Sequence, residues 1–347
     1  MLMFFEAMTI VKKLSVVLAG AVFSTLSLGV KAAQAHGGHL PSDSGHLPSD
    51  SEQLPSSVDP RLGSDAIFYG EAQPLGDGTI RTWVRLDDHE NPTDIGVSFT
   101  ESALFGLPEE SDDFGEYPLK LPLLDGIGNS TFEYELLFPQ EASATPFTHL
   151  SLNWNPHGHA PEGFTTVPHF DFHFNLLTPD ERDAITADDL DDFLTKAYET
   201  PPPELIAEGY GTVPNAAEPR MGVHYIDFTS PALQRPFDHI FIYGFYEGNM
   251  TFWEPMITTS FLETKPNITE AIKQPSAYPT VGYYPNGYSI NYANGEYSVS
   301  LNEFTFRSST LASVPESNLT LATLAFGVFG AGSILIRKWK FTIGNRQ

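Results

Sequence analysis

The six residues His169-Phe170-Asp171-Phe172-His173-Phe174 alternate without exception between polar and aromatic side chains. Successive side chains of an extended strand point to opposite faces. This period of two therefore places three Phe on one face and His169, Asp171 and His173 on the other. The Phe face predicts a buried core. An opposite face that is wholly polar, with two imidazoles and a carboxylate, predicts a lined pocket.

Related segments surround it. AIFYGEA, TIRTWVRL, DIGVSFT, TFEYELLF, THLSLNWN, GVHYIDF, HIFIYGFY and MTFWEPMITTSFL are rich in aromatic and β-branched residues, with Gly, Pro and Asn between them. Nine or more short antiparallel strands over 65–307 predict a mainly β domain, barrel-like or a sandwich. One helical insert is expected. Thr178-Pro179-Asp180-Glu181 has capping-box form with Pro at the first helical position, and Thr186–Tyr198 continues in helical rhythm. The aspartates of this insert lack the spacing and glycine turn of an EF-hand loop and read as a solvated face.

The two ends have a different character. Lys12 and Lys13 precede the apolar run Leu14 to Val30, and Ala33-Gln34-Ala35 supplies a small-x-small cleavage site. Residues 1–35 therefore read as a secretory signal peptide, with Met1 or Met8 as the start. Residues 36–64 form a spacer in which HLPSDSG, HLPSDSE and QLPSS repeat every seven residues, too polar to bury a core. At the other end, 319–336 is an uncharged apolar run followed by Arg337, Lys338 and Lys340. At helical rise it spans roughly 27 Å, enough for a transmembrane helix whose basic flank stays cytoplasmic.

Charge follows this partition. The whole chain carries 44 Asp and Glu against 18 Lys and Arg, a formal net charge of −26, and the segment 36–313 alone reaches −31. Such a surface excludes a phosphate-tracking nucleic-acid binder. The absence of Cys excludes disulfides, thiolate metal sites and thiol nucleophiles, leaving His, Asp and Glu as ligand types.

Five of the eleven His fall between 149 and 173. His157 and His159 can chelate together if extended, since i and i+2 lie about 6.6 Å apart along a strand. His169 and His173, roughly 13 Å apart, are too distant to share one ion with metal–nitrogen bonds of about 2.1 Å. A site therefore takes one of that pair with a partner from the turn, and hairpin geometry favours His169 with His159. Further ligands come from His224 and Glu254, polar residues inside strand-like runs. The candidate metal ligands are His157, His159, His169, His173, His224 and Glu254, for a divalent Zn, Mn, Fe or Cu. The competing reading is a hydrogen-bonded polar cluster that holds the sheet without metal.

Three resemblances bear on function. HxHxxE at 157–162 resembles the first cupin metal motif, but the second motif is missing, and PRMGVH at 219–224 does not replace it. Val314-Pro315-Glu316, the apolar run and the basic cluster resemble a PEP-CTERM sorting tail over 308–347, with Ser317 in place of the motif's second Pro. The tail implies an exosortase-type protease and an exopolysaccharide matrix as partners. Finally, NPHGHAPEG and VPHFDFHF, with GDGTIRTWVRLDDHENPTDIGVSFTESAL before them and MGVHYID and FIYGFYEGNMTFWEPMITTSFL after, are similar to an exported bacterial family classed as a domain of unknown function. That resemblance covers about 65–305 and implies no activity.

The expectation is an exported protein, anchored in the inner membrane facing the periplasm or released to the surface or matrix. It would be a non-enzymatic envelope domain with a histidine-rich metal site, and a homo-oligomer is compatible with it. The alternative is a cupin-like metal enzyme acting on a small molecule or saccharide, with His159, His169 and His224 as ligands and Asp171 or Glu254 supporting. No G-x-S-x-G, H-E-x-x-H, P-loop or G-x-G-x-x-G motif favours a particular reaction.

Overall fold

The computed structural model describes residues 66–109, 119–121, 131–160, 163–233 and 237–308. The strands before the polar hairpin are β1 (Ala66–Tyr69), β2 (Gln73–Leu75), β3 (Gly78–Leu86), β4 (Pro92–Thr100), β5 (Leu119–Leu121) and β6 (Thr131–Leu137). β7 (His149–Asn155) and β8 (His169–Asn175) form the hairpin itself. Then come β9 (Tyr210–Gly211), β10 (Ala217–Glu218), β11 (Gly222–Asp227), β12 (His239–Tyr246) and β13 (Asn249–Thr258). The last are β14 (Asn267–Ala271), β15 (Gly282–Tyr284), β16 (Gly287–Ala293), β17 (Glu296–Asn302) and β18 (Thr305–Arg307).

The strands pair antiparallel in two large sheets. A seven-stranded sheet runs β1-β3-β4-β17-β16-β14 with β2 beside β3, and a nine-stranded sheet runs β10-β11-β12-β13-β8-β7-β6-β5 with β9 beside β11. β15 and β18 pair separately. Both large sheets are open paths, so among the described residues there is no closed barrel, and the barrel-like alternative gives way to face-to-face sheets. Phe99 of β4 lies 6.2 Å from Phe172 of β8, ring centre to ring centre, and Tyr288 of β16 lies 5.2 Å from Phe241 of β12. These aromatic contacts join the sheets into one core that contains Phe170, Phe172 and Phe174.

The sheet segments read from the sequence are strands, with one shift. The run through Leu262 leaves the sheet at Thr258, whose hydroxyl caps α3 (Thr259–Glu263). The helical insert is broken in two. α1 (Pro179–Asp183) starts at the Thr178 capping box, and α2 (Leu190–Ala197) starts at Asp189. The six insert aspartates are exposed, as the solvated-face reading required. Strands after Glu263 were not individually foreseen. β16 and β17 turn at Asn294-Gly295, both at positive φ, the backbone a two-residue hairpin needs. The signal peptide, the spacer and the transmembrane helix 319–336 lie outside the described residues. Among those described, no helix is long and apolar enough to cross a membrane.

The nine-stranded sheet is covered on its second face too. There, His149, Ser151, Asn153 and Asn155 of β7 and His169, Asp171, His173 and Asn175 of β8 are all buried. Antiparallel register arranges them in rows. Asn155 faces His169, Asn153 faces Asp171, Ser151 faces His173, and His149 faces Asn175. On β6, Glu133 continues the row of Asn153. The strands on the other side bring Ile240, Ile242, Phe252 and Met256 to this face, where they form a smaller apolar cluster with Phe164, Met221 and Phe237.

The insert seals the polar side through charge. Arg182 of α1, itself buried, donates to both carboxylate oxygens of Glu133, and Arg220 adds a bond of 2.9 Å. Burial opposes the Glu133 charge, but Arg182 and then Arg220 outweigh it and lower its pKa from 4.5 to about 2. A lowered carboxylate stabilises the fold fully above about 4.5, and that contribution disappears as the pH falls toward about 2. The shift corresponds to a contribution on the order of 3 kcal/mol. Arg182→Met, which strands most of a buried charge, should cost about 3–5 kcal/mol in denaturant unfolding at neutral pH, with Glu133→Gln recovering part of it. Stability that stays flat across the acid window would show that the pair does not hold the insert.

Candidate metal centre

His169 and Asp171 are placed by β8, and the loop between β7 and β8 returns His159 over them. Gly158 makes that return possible. It sits at φ +67°, and a Cβ there would meet the Thr165 carbonyl oxygen at 2.0 Å. The loop is then closed by His159 N–H donating to Thr165 O (3.2 Å) and by Thr165 Oγ1 donating to His159 O (2.7 Å).

The result is a tight group. His159 Nε2 lies 3.1 Å from His169 Nε2 and 3.8 Å from Asp171 Oδ2, and His169 Nε2 lies 3.2 Å from Asp171 Oδ1. The other ring nitrogens fix the chemistry. His169 Nδ1 is 2.6 Å from Val167 O, and His159 Nδ1 is 2.8 Å from Ala160 O. A carbonyl oxygen only accepts, so both Nδ1 atoms carry hydrogen, and each neutral ring turns an Nε2 lone pair toward the other. Two lone pairs and a carboxylate converging at such distances require a cation among them, whether a proton or a metal ion. Asn155 Nδ2 holds Asp171 Oδ2 at 2.7 Å from the neighbouring strand.

A second group adjoins the first. The register that pairs Phe252 with Asn175 and Met256 with Asp171 sets Glu254 level with His173. Glu254 Oε2 lies 3.7 Å from His173 Nε2 and 3.9 Å from His224 Nε2. His224 faces Gly244, which faces Phe252 in turn. Because Gly244 has no side chain, the Phe252 ring lies over it and packs against both His173 (4.6 Å) and His224 (5.2 Å). His224 Nδ1 is 2.9 Å from Ala216 O, so its Nε2 is also a lone pair.

The two groups differ electrostatically. Burial opposes the charge of Asp171, but His169 and His159 overcome it and hold its pKa well below the usual carboxylate range. Burial likewise works against a charged His159, and the Asp171 hydrogen bond outweighs it, leaving His159 raised. In the second group burial prevails. It pushes Glu254 well above the carboxylate range, helped by the Asp171 charge, and pulls His173 down to about 3 and His224 to about 4. The first group is thus built around an anion and the second around neutral groups. Both groups have a spacing that can hold a metal ion.

His159, Asp171, His224 and Glu254 line one cavity of about 420 Å³. Several buried atoms around it lack a hydrogen-bond partner in the protein: both Asn153 amide atoms, both His173 ring nitrogens and Glu254 Oε2. Leaving such groups unpaired costs about 1–3 kcal/mol each, so their concentration here marks a site for something further.

The structure separates the residues expected from the sequence. His159 and His169 come together, whereas His173, His224 and Glu254 form the other group. This splits the set His159, His169 and His224. His157 joins neither. The Asn155–Gly158 turn reverses the chain, so 157–159 is not extended, and His157 is exposed. Asp171 moves from a supporting role into direct convergence with two imidazoles. Glu162 lies outside the described residues. Asn153, Asn155, Ser151 and His149 were not singled out, although THLSLNWN shows the same polar alternation as β8. His239 bonds the Tyr288 hydroxyl, and His89 belongs to an exposed Asp87–Asp88–His89 group.

Residues 87–154 match a family model described as TTHB210-like, hypothetical protein TTHB210. That stretch fits an uncharacterised domain and stops before Asn155, so it includes no member of either histidine group. No curated protein and no solved structure matches the chain.

Gly158→Ala should lower stability by about 1–3 kcal/mol from backbone strain, and more from the clash with Thr165 O. Gly295→Ala is the control, because Gly295 shares a positive φ but has nothing within 4 Å of an added Cβ. Thermal unfolding of both variants measures the difference. Equal losses would mean that the loop does not need this close approach.

Proposed function

We propose that this chain is a metal-binding domain of an exported envelope protein, holding one divalent transition-metal ion among His159, His169 and Asp171. The carrying observation is the pair of Nε2 lone pairs 3.1 Å apart, with both Nδ1 atoms committed to carbonyls and an ionised carboxylate beside them. Ligand atoms about 2.0–2.2 Å from one ion lie about 3–3.6 Å from each other, close to the spacing of this group. The backbone acceptors on Nδ1 and the Asn155 bond to Asp171 are the outer contacts that orient metal ligands. Two imidazoles and one carboxylate leave positions for further ligands on the cavity side.

His173, His224 and Glu254 lack a fixed anion, and in this reading they form the polar wall beside the ion. The export signal, the anchoring tail and the partners it implies (membrane, exosortase-type protease, exopolysaccharide) rest on sequence pattern and belong to the same proposal. A non-enzymatic role is preferred, because no nucleophile or acid–base pair among the described residues is tied to a reaction.

The test is elemental analysis of the purified chain after exposure to Zn(II), Mn(II), Fe(II) or Cu(II) and gel filtration. One ion per chain is expected in the wild type, with loss in His159→Ala and in His169→Ala. Asn155→Ala should bind about 10–100-fold more weakly, because Asp171 loses its orienting partner. Metal-free wild type with an intact β-sheet circular dichroism spectrum would sink the proposal.

A further inference from the structure

The cavity beside the candidate ion has two unlike walls. Strands β7 and β8 contribute Asn153, Asn155 and Asp171, whereas β11, β12 and β13 contribute Ile226, Ile240, Ile242 and Met256 beside the polar His224 and Glu254. Its volume, about 420 Å³, falls within the range of small-molecule sites, about 300–1,000 Å³. The polar wall is incompletely used. Asn153 is fully buried and both of its amide atoms lack a partner, as does Glu254 Oε2, and both side chains line the cavity. The segment Val213–Ala216 also lines it, and there Pro214 and Asn215 are exposed, which gives a rim facing solvent.

Among the described residues the lining contains three carboxylates, Asp171, Glu218 and Glu254, and no Lys or Arg. A free anionic head meets no Lys or Arg among the described lining residues. A bound cation reverses this, because the ion supplies the positive charge and open coordination positions. The apolar wall favours a hydrocarbon body, and an amide donor and acceptor beside the ion favour a head with both oxygen and N–H or O–H.

We propose that the cavity binds an amphipathic small molecule in which a bidentate oxygen head ligates the ion at His159, His169 and Asp171. Asn153 hydrogen-bonds that head, and the apolar body lies along Ile226, Ile240, Ile242 and Met256. This rests on the metal reading above and adds a ligand class to it.

Alkyl hydroxamates supply the probes. Metal content of the purified chain is measured first, and the same sample is then titrated calorimetrically with acetohydroxamic and octanohydroxamic acid. The octyl compound should bind at least about tenfold more tightly, since each methylene entering an apolar pocket adds affinity. Removing the metal with a chelator should abolish binding of both. Ile242→Ser should erase the chain-length preference while metal content and acetohydroxamate binding persist. Ile226→Ser, at a half-buried position, provides the same comparison if Ile242→Ser does not fold. Asn153→Leu should weaken both probes and keep the ratio between them.

Equal affinities for the two hydroxamates, or no binding to metal-loaded protein, would overturn the apolar wall as a ligand surface. Octanohydroxamate or octylamine binding equally well to stripped protein would overturn ligation of the head. A chain that takes up no metal overturns the metal reading as well, and this is seen before any ligand is added.

Discussion

Burial of the nine-stranded sheet on both faces is the constraint on which the rest of the structure depends. One face can be filled by Phe, Leu and Tyr against the second sheet. The other carries a polar residue at every second position of β7 and β8, and each one withdrawn from water needs a partner. Part of this need is met within the protein. Arg182 and Arg220 neutralise Glu133, Asn155 holds Asp171, and Asn175 donates to Ser151 at 2.9 Å. Part is not: Asn153, His173 and Glu254 leave unpaired atoms beside the cavity, and His149 Nε2 of β7 is unpaired as well. Two of these side chains, Asn153 and Glu254, line the cavity, where a ligand can satisfy them.

What the sequence revealed depended on how local each feature was. Alternation in β8 was legible because period two is a property of consecutive residues, and it separated Phe170 from Asp171 without any knowledge of neighbours. The approach of His159 to His169 was also within reach, because a Gly- and Pro-rich turn must bring one strand end back over the other. Register between distant strands was not. His173, His224 and Glu254 meet because β11, β12, β13 and β8 stack in that order, and no short motif encodes the order. The one local trace was Gly244 inside HIFIYGFY, since a glycine in a strand interior marks a close approach, here by the Phe252 ring. The Glu133–Arg182 pair was equally hidden. Its signal was an acidic residue at a sheet-facing position of TFEYELLF, and its partner arrived from a helix 49 residues later.

The difference in sequence range also sets when each group can form. His159, His169 and Asp171 belong to one hairpin and its loop, so short-range closure assembles them. The second group needs three strands drawn from residues 173 to 254, and it exists only once that part of the sheet is complete. The first group combines ligands from two kinds of element: His169 is held on a strand, whereas the quarter-exposed His159 comes from a loop. Loops supply the adjustable contacts of sites that a rigid scaffold positions.

The two groups are coupled through Asp171. Its charge is one of the causes that push Glu254 upward, so the anion of one group suppresses the anion of the other. A cation held at Asp171 cancels that field. Burial, the larger cause, still holds Glu254 above the carboxylate range beside His173 and His224. The hairpin group therefore touches the strand group only through this smaller electrostatic contribution, and the two share no ligand. An arrangement that is merely structural has no need of this asymmetry, because pairing each carboxylate with an arginine, as Glu133 is paired, would stabilise the sheet without leaving lone pairs in opposition.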